Sequence, residues 1–194
     1  MPRRTLSVLI IALAGAFLSL LQADVAHSAN YQSLARKLAY LKLNAARSRP
    51  DPKPTVLTEP EVNAYFSEGG VKLPTGVSEV HLTSHPGIID GRAHVDFEDI
   101  MRGRNKNNPL YDVFNGSHDI HVVAAAAGTS GVATIKVQTV ELDNVAVPQW
   151  ALEFFVQRYV TPRYANVGMT STFKMPLRIR TATVDPGKVT LEQK

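Results

Sequence analysis

Six histidines are the first residues of this 194-residue chain to read for chemistry, because there is no cysteine to supply a thiolate ligand or nucleophile. The densest set is His118-Asp119-Ile120-His121. On an extended strand, residues three apart point to opposite faces, so His118 and His121 cannot share a metal there. His81 and His85 have the same parity, but the strand rise of roughly 3.3 Å per residue sets them about 13 Å apart. His94 and Asp96 lie adjacent on one face, yet two ligands do not complete a zinc site. Ser84-His85 and Ser117-His118 are only sequence neighbours, and Gly128-Thr129-Ser130-Gly131 reads as a hairpin loop, not a nucleophile elbow. Glu98 and Asp99 fall at a strand end, where a solvated turn accounts for them. No glycine-rich phosphate loop is present. No enzyme activity, metal or other cofactor is expected.

Binding has two candidate sources. Arg102, Arg104 and Lys106, followed by Tyr111 and Phe114, form a basic loop suited to an anionic headgroup. Trp150, Phe154, Phe155 and Tyr159 crowd one short segment in which Gln149, Glu153 and Gln157 supply a narrow polar stripe. A surface helix needs an apolar stripe of only about 100°. The segment is therefore expected to be an embedded helix over residues 149–160, facing sheet positions such as Phe97, Phe173 and Met175. The expected ligand site has Trp150, Phe154, Phe155, Phe173, Met175 and Phe97 as apolar walls, with Arg102 and Arg104 near the entrance.

The elements that must position these residues follow from periodicity. Leu34, Leu38, Leu41 and Ala45 recur at helical spacing over residues 31–47, with Arg36, Lys37 and Lys42 mostly off the stripe. Pro50, Pro52 and Pro54 end that helix and stiffen a linker. Thr58 and Glu61 form a capping box, with Pro60 in the first turn, and Gly69-Gly70 ends the second helix. The period then becomes two. Ile89, Ala93, Val95 and Phe97 alternate with Asp90, Arg92, His94 and Asp96, so one sheet face is wet and the other buried. A second hairpin is expected over about 118–127 and 132–142. A last one runs from Phe173, Met175, Leu177 and Ile179 through Pro186-Gly187 to Val189 and Leu191. The expected class is α+β, with an antiparallel sheet of about six strands curled around helix 149–160 and additional N-terminal helices.

Composition narrows the setting. Arg3 and Arg4 precede the apolar run Leu6–Leu21, and Ala26 and Ser28 are small residues placed for cleavage after Ser28. Residues 1–28 thus read as a secretory signal peptide, with an uncleaved membrane anchor as the alternative. Residues 29–56 read as a basic amphipathic helix and Pro-rich linker, and 57–194 as a single α+β domain. The formal net charge is only +4, though residues 36–53 carry Arg36, Lys37, Lys42, Arg47, Arg49 and Lys53 against Asp51 alone. That excess suits ordinary solubility or the neighbourhood of an anionic membrane. No dense basic and aromatic patch points to nucleic acid. A periplasmic or secreted address is expected.

The stretch Leu57-Thr58-Glu59-Pro60-Glu61-Val62-Asn63-Ala64-Tyr65 resembles the threonine-glutamate-x-glutamate-x-asparagine helix opening of bacterial envelope proteins of the LmeA type. Val145-Ala146-Val147-Pro148 leading directly into an apolar helix is similar to theirs as well. Those proteins resemble tubular lipid-binding (BPI-like) domains. The likeness covers residues 57–194, and this chain departs from it in the basic helix 31–47 and the Arg102 loop. The resemblance implies a curled sheet wrapping a long helix around an acyl-chain groove. The expected partner is a lipid or other apolar small molecule, with a membrane surface nearby. The competing expectation is a structural or protein-interaction module with a filled core.

Overall fold

A computed structural model describes residues 27–101, 116–157 and 167–194. Helix α1 (Ala29–Ala45) opens on Ser28, whose hydroxyl accepts the Tyr31 amide at 3.2 Å. Its apolar stripe is the face it buries: Leu34 and Leu41 are inaccessible, whereas Arg36 and Lys42 stand in solvent. The chain leaves the prolines as strand β1 (Thr55–Thr58) and turns at once into α2 (Glu59–Ser67). Gly70 follows because a Cβ there would lie 2.5 Å from the Tyr65 ring.

Nine strands among the described residues form one antiparallel sheet. After β1 come β2 (Val77–His85), β3 (Ile88–Asp96), β4 (Ser117–Thr129) and β5 (Val132–Leu142). Then follow β6 (Val145–Ala146), β7 (Thr170–Lys174), β8 (Ile179–Asp185) and β9 (Lys188–Gln193). The main path is β1-β9-β8-β4-β3-β2, and β5 pairs with β4 while also holding β6 and β7. Short helices α3 (Phe97–Met101) and α4 (Gln149–Phe155) complete the described elements.

Strand β4 is the spine. It pairs with β3 over Ser117–Ala125 and meets β8 at Gly128, opposite Ala182. A Cβ at Gly128 would come within 2.8 Å of Ala182 Cβ and of Met175 Sδ, so only glycine lets the two backbones approach. The β2–β3 and β8–β9 hairpins succeed one another along this edge. Gly87 N–H donates to Val184 O at 2.9 Å and Gly187 N–H to Ser84 O at 3.2 Å, tying the two turns together.

The expected α+β architecture is overturned in its centre. The fold is predominantly antiparallel sheet, with nine strands where about six were expected, and no long apolar helix threads it among the described residues. The segment expected as helix 149–160 is α-helical over Gln149–Phe155, and there Trp150 is 73% and Phe154 51% exposed. Composition misleads at this point because an apolar stripe is buried only where another element covers it. Helix α4 follows the short edge strand β6, and the sheet residues Met175, Ile179 and Leu191 are already covered by α1 and α2. The run from Phe173 to Ile179 also differs from one continuous strand. Pro176 begins a tight turn with Leu177 and Arg178 both at φ 56°, which separates β7 from β8. Strand β1 pairs with β9 where a linker was expected to lead straight into α2.

An apolar cavity and its polar clamp

Helices α1 and α2 do not seal onto the sheet. Between them lies an apolar cavity of about 190 Å³. Its roof comes from Leu34, Leu38, Val62 and Tyr65, and its floor from β4, β5, β7, β8 and β9. Four alanines on that floor, Ala126, Ala127, Ala133 and Ala182, account for the space. A close-packed interior fills its volume with side chains, and a methyl group at these positions leaves a gap beneath Leu34 and Tyr65. The lining residues are apolar apart from Thr134 and the phenol of Tyr65. Such a lining offers water few of the two to four polar partners it needs to be held.

The elements around the cavity are fastened by the polar residues of the Thr58–Tyr65 segment. Glu59 accepts the Ser84 amide at 3.0 Å and its own N–H donates to Gly187 O at 2.8 Å, anchoring α2 to both hairpin turns. Asn63 bonds Leu82 twice, accepting its N–H at 2.7 Å and donating to its carbonyl at 2.8 Å. Leu82 lies on the edge strand β2, so this amide stands in for a missing strand partner. Glu61, only 5% exposed, accepts from Lys37 Nζ at 2.7 Å, Ser33 Oγ at 2.5 Å and Thr58 N–H at 2.8 Å. Burial alone would raise its pKa, but the Lys37 ammonium, the Ser33 hydroxyl and the Thr58 amide outweigh burial and hold it at about 2. The segment that suggested a family motif therefore acts here as a clamp. Its carboxylates and amide bond backbone, hydroxyl and cation partners.

Near the start of α1, His27 stacks on Tyr31 at 3.7 Å and Tyr31 on Tyr65 at 4.9 Å. Glu68 accepts Ser28 N–H at 2.8 Å and lies 3.2 Å from His27 Nδ1. At the other end of the helix, Asn44 and Gln193 are both buried and bonded to each other at 2.8 Å. Gln193 also donates to Leu41 O at 2.8 Å and Leu177 O at 2.6 Å, and Asn44 to Asp51 O at 2.9 Å. Both helices are thus pinned at their ends, with the unfilled space between.

Of the expected site residues, Phe173 and Met175 line the cavity. Trp150 and Phe154 stand apart on α4 in solvent. Phe97 is buried in a separate cluster with Ala93 and Val95. Arg102, Arg104 and the Phe155 side chain lie outside the described residues. The residues that sequence reasoning left out of the site are Leu34, Leu38, Leu57, Tyr65 and the floor alanines. Their signals were present, in the helical leucine stripe and the Ala124–Ala127 run.

The far end of the sheet carries the histidines. On its open face, His121 sits between two carboxylates, with Nε2 2.8 Å from Asp90 and Nδ1 3.1 Å from Glu141. The hydrogen bond to Asp90, helped by that to Glu141, holds His121 above the usual histidine range. His94 is raised in the same direction by Asp119, 2.9 Å away. His118 pairs opposite Val95 on the core-facing side, 2.6 Å from Asp143 and edge-on to Phe97 at 5.8 Å. No group of three or more His, Asp or Glu among the described residues is arranged to hold a metal ion.

No protein-family model, curated protein or solved structure matches this chain.

Proposed function

We propose that this domain binds a small apolar group, such as an alkyl segment or an aromatic ring, in the cavity beneath α1 and α2. The observation that carries the reading is the cavity itself, about 190 Å³ with an almost wholly apolar lining. An apolar cavity of roughly 150 Å³ is enough to take a benzene ring, whereas whole drug-sized ligands occupy about 300–1,000 Å³. The ligand portion recognised is accordingly a chain end or a ring, not an entire lipid. Binding without turnover fits a lining whose side chains include no carboxylate, imidazole or amine. The likeness of Leu57–Tyr65 to the helix opening of LmeA-type envelope proteins points to the same ligand class. An N-terminal export signal in residues 1–28 would place the domain in the periplasm or outside the cell, and no helix among the described residues is long and apolar enough to cross a membrane.

Titrating the protein with benzene and with octanoate, followed by methyl NMR and thermal unfolding, tests this reading. Ligand at a hundred times its Kd adds about 2.7 kcal/mol of stability. Shifts are expected at Leu34, Leu38 and Met175, and Ala133→Leu should abolish them while the protein stays folded. Shifts that persist in Ala133→Leu, or none in the parent, would reject the cavity as the site.

A second reading, a protein-interaction module, is favoured by one observation. Trp150, Phe154 and Val145 are each more than half exposed on β6 and α4. Large aromatic side chains of this kind are enriched where partner proteins dock.

A further inference from the structure

A different depression, about 500 Å³, lies beyond the C-terminal end of α1. Arg49, Pro50 and Pro52 form one side, and Arg178, Arg180 and Glu192 the other. Lys194 also borders it. Three guanidinium groups therefore share a cleft with one acidic side chain, Glu192, which already accepts the Thr181 hydroxyl at 2.7 Å. The Arg49 and Arg180 side chains have no hydrogen-bond or ion-pair partner among the described residues.

Arg178 is placed there by a conformation that its residue type disfavours. The Pro176–Ile179 turn, closed by Ile179 N–H to Pro176 O at 3.1 Å, holds Leu177 and Arg178 both at φ 56°. Such a turn ordinarily carries Asn-Gly. Backbone held in sparsely populated regions persists only where its surroundings over-determine it, and it clusters at functional sites. The surroundings here are explicit. Leu177 packs on the core and its carbonyl accepts from buried Gln193 at 2.6 Å. The Arg178 guanidinium donates to Lys194 O at 3.2 Å and to Arg47 O at 3.0 Å. Across the cleft, the rings of Pro50 and Pro52 fix their own φ angles. Like charges are thus gathered on a stiff frame, with Glu192 as the one acidic side chain lining it.

We propose that this cleft binds a phosphate-type oxyanion, either free or as the head of a phosphoester such as an anionic lipid. Planar guanidinium forks match phosphate oxygens two at a time, and a preorganised frame removes the entropy of gathering them. The proposal rests on the cleft alone and stands or falls separately from the apolar cavity.

The test follows the arginine Nε–H signals by NMR while inorganic phosphate is added at low ionic strength, with chloride as the control. A second arm measures co-sedimentation with phosphatidylcholine vesicles with and without phosphatidic acid. The comparison protein is the double variant Arg49→Glu/Arg180→Glu, whose replaced side chains make no internal bonds. A saturable phosphate response, weakened at least about tenfold in the double variant, assigns a soluble oxyanion. Selective binding to phosphatidic acid vesicles, likewise lost in the variant, assigns a lipid headgroup. The proposal is overturned if neither probe binds, or if the double variant binds as well as the parent.

Discussion

Beneath α1 and α2, the charged and amide groups drawn inward are closely partnered. Glu61, Asn44, Gln193 and Asn63 each make two or more close bonds. At the far end of β3, β4 and β5 the titratable groups lie nearer the solvent, as histidine–carboxylate pairs laid across neighbouring strands. The first region spends its polar groups on holding two helices above a space they do not fill. The second only links strands that backbone hydrogen bonds already join. The contrast teaches that polar bonds matter most where packing is incomplete. Around the cavity they replace the apolar contacts that the floor alanines omit.

That contrast can be broken most severely at Gly128. Gly128→Val would drive a branched side chain into Ala182 and Met175, which a Cβ added at this position would already meet at 2.8 Å. Overpacking of this kind costs about 3 kcal/mol. Hydrogen exchange should show β8, β9 and α1 loosened while β2 and β3 stay protected; uniform loosening would mean that the two regions are one cooperative unit.

Glu61 gives the next effect. Its folded pKa of about 2 lies below the ordinary 4.5, so the stabilisation is fully present above 4.5 and disappears as pH falls toward 2. A depression of that size corresponds to about 3 kcal/mol. Urea unfolding midpoints measured from pH 6 to pH 2 should therefore fall for the parent. In Glu61→Gln the midpoint at pH 6 should already be low and the acid slope shallower. An unchanged slope in the variant would show that other carboxylates drive acid unfolding.

Ser28 ranks below it. Ser28→Ala removes the cap on Tyr31 N–H and should lower stability by about 1 kcal/mol, read from the thermal midpoint. The same contact bears on processing. Cleavage after Ser28 would delete both this cap and the His27–Tyr31 stack, and would set a new ammonium at the helix N-terminus, where positive charge is unfavourable. The N-terminus of the protein isolated from cells, read by mass spectrometry, decides whether His27 and Ser28 are kept.

The smallest change is expected at His121. Its folded pKa is raised, so its contribution is fully present below the ordinary 6.5 and is lost as pH climbs through the folded value. His121→Gln should remove this alkaline-side decline, worth below about 1 kcal/mol, without altering the acid slope set by Glu61. Opposite pH signatures from the two ends would sharpen the distinction between them.

Much of the local structure was legible in the residues themselves. The Leu34–Leu38–Leu41 stripe, the Thr58–Glu61 capping box, the alternation of Ala93, Val95 and Phe97, and the opposed faces of His118 and His121 all depend on backbone periods of 3.6 or 2 residues. Those periods are properties of a short stretch, so sequence alone determined them. Of the candidate site, Phe173 and Met175 were legible as inward-facing strand residues. Tertiary structure decided which helix covers the sheet, that Trp150 and Phe154 remain in solvent, and that the space lies under α1 and α2. It also decided that Leu177 and Arg178 bend into a turn. Burial of an apolar stripe depends on an element that arrives from far along the chain. Leu34 is covered by strands more than a hundred residues later, whereas nothing described arrives over Trp150, and no local pattern distinguishes the two.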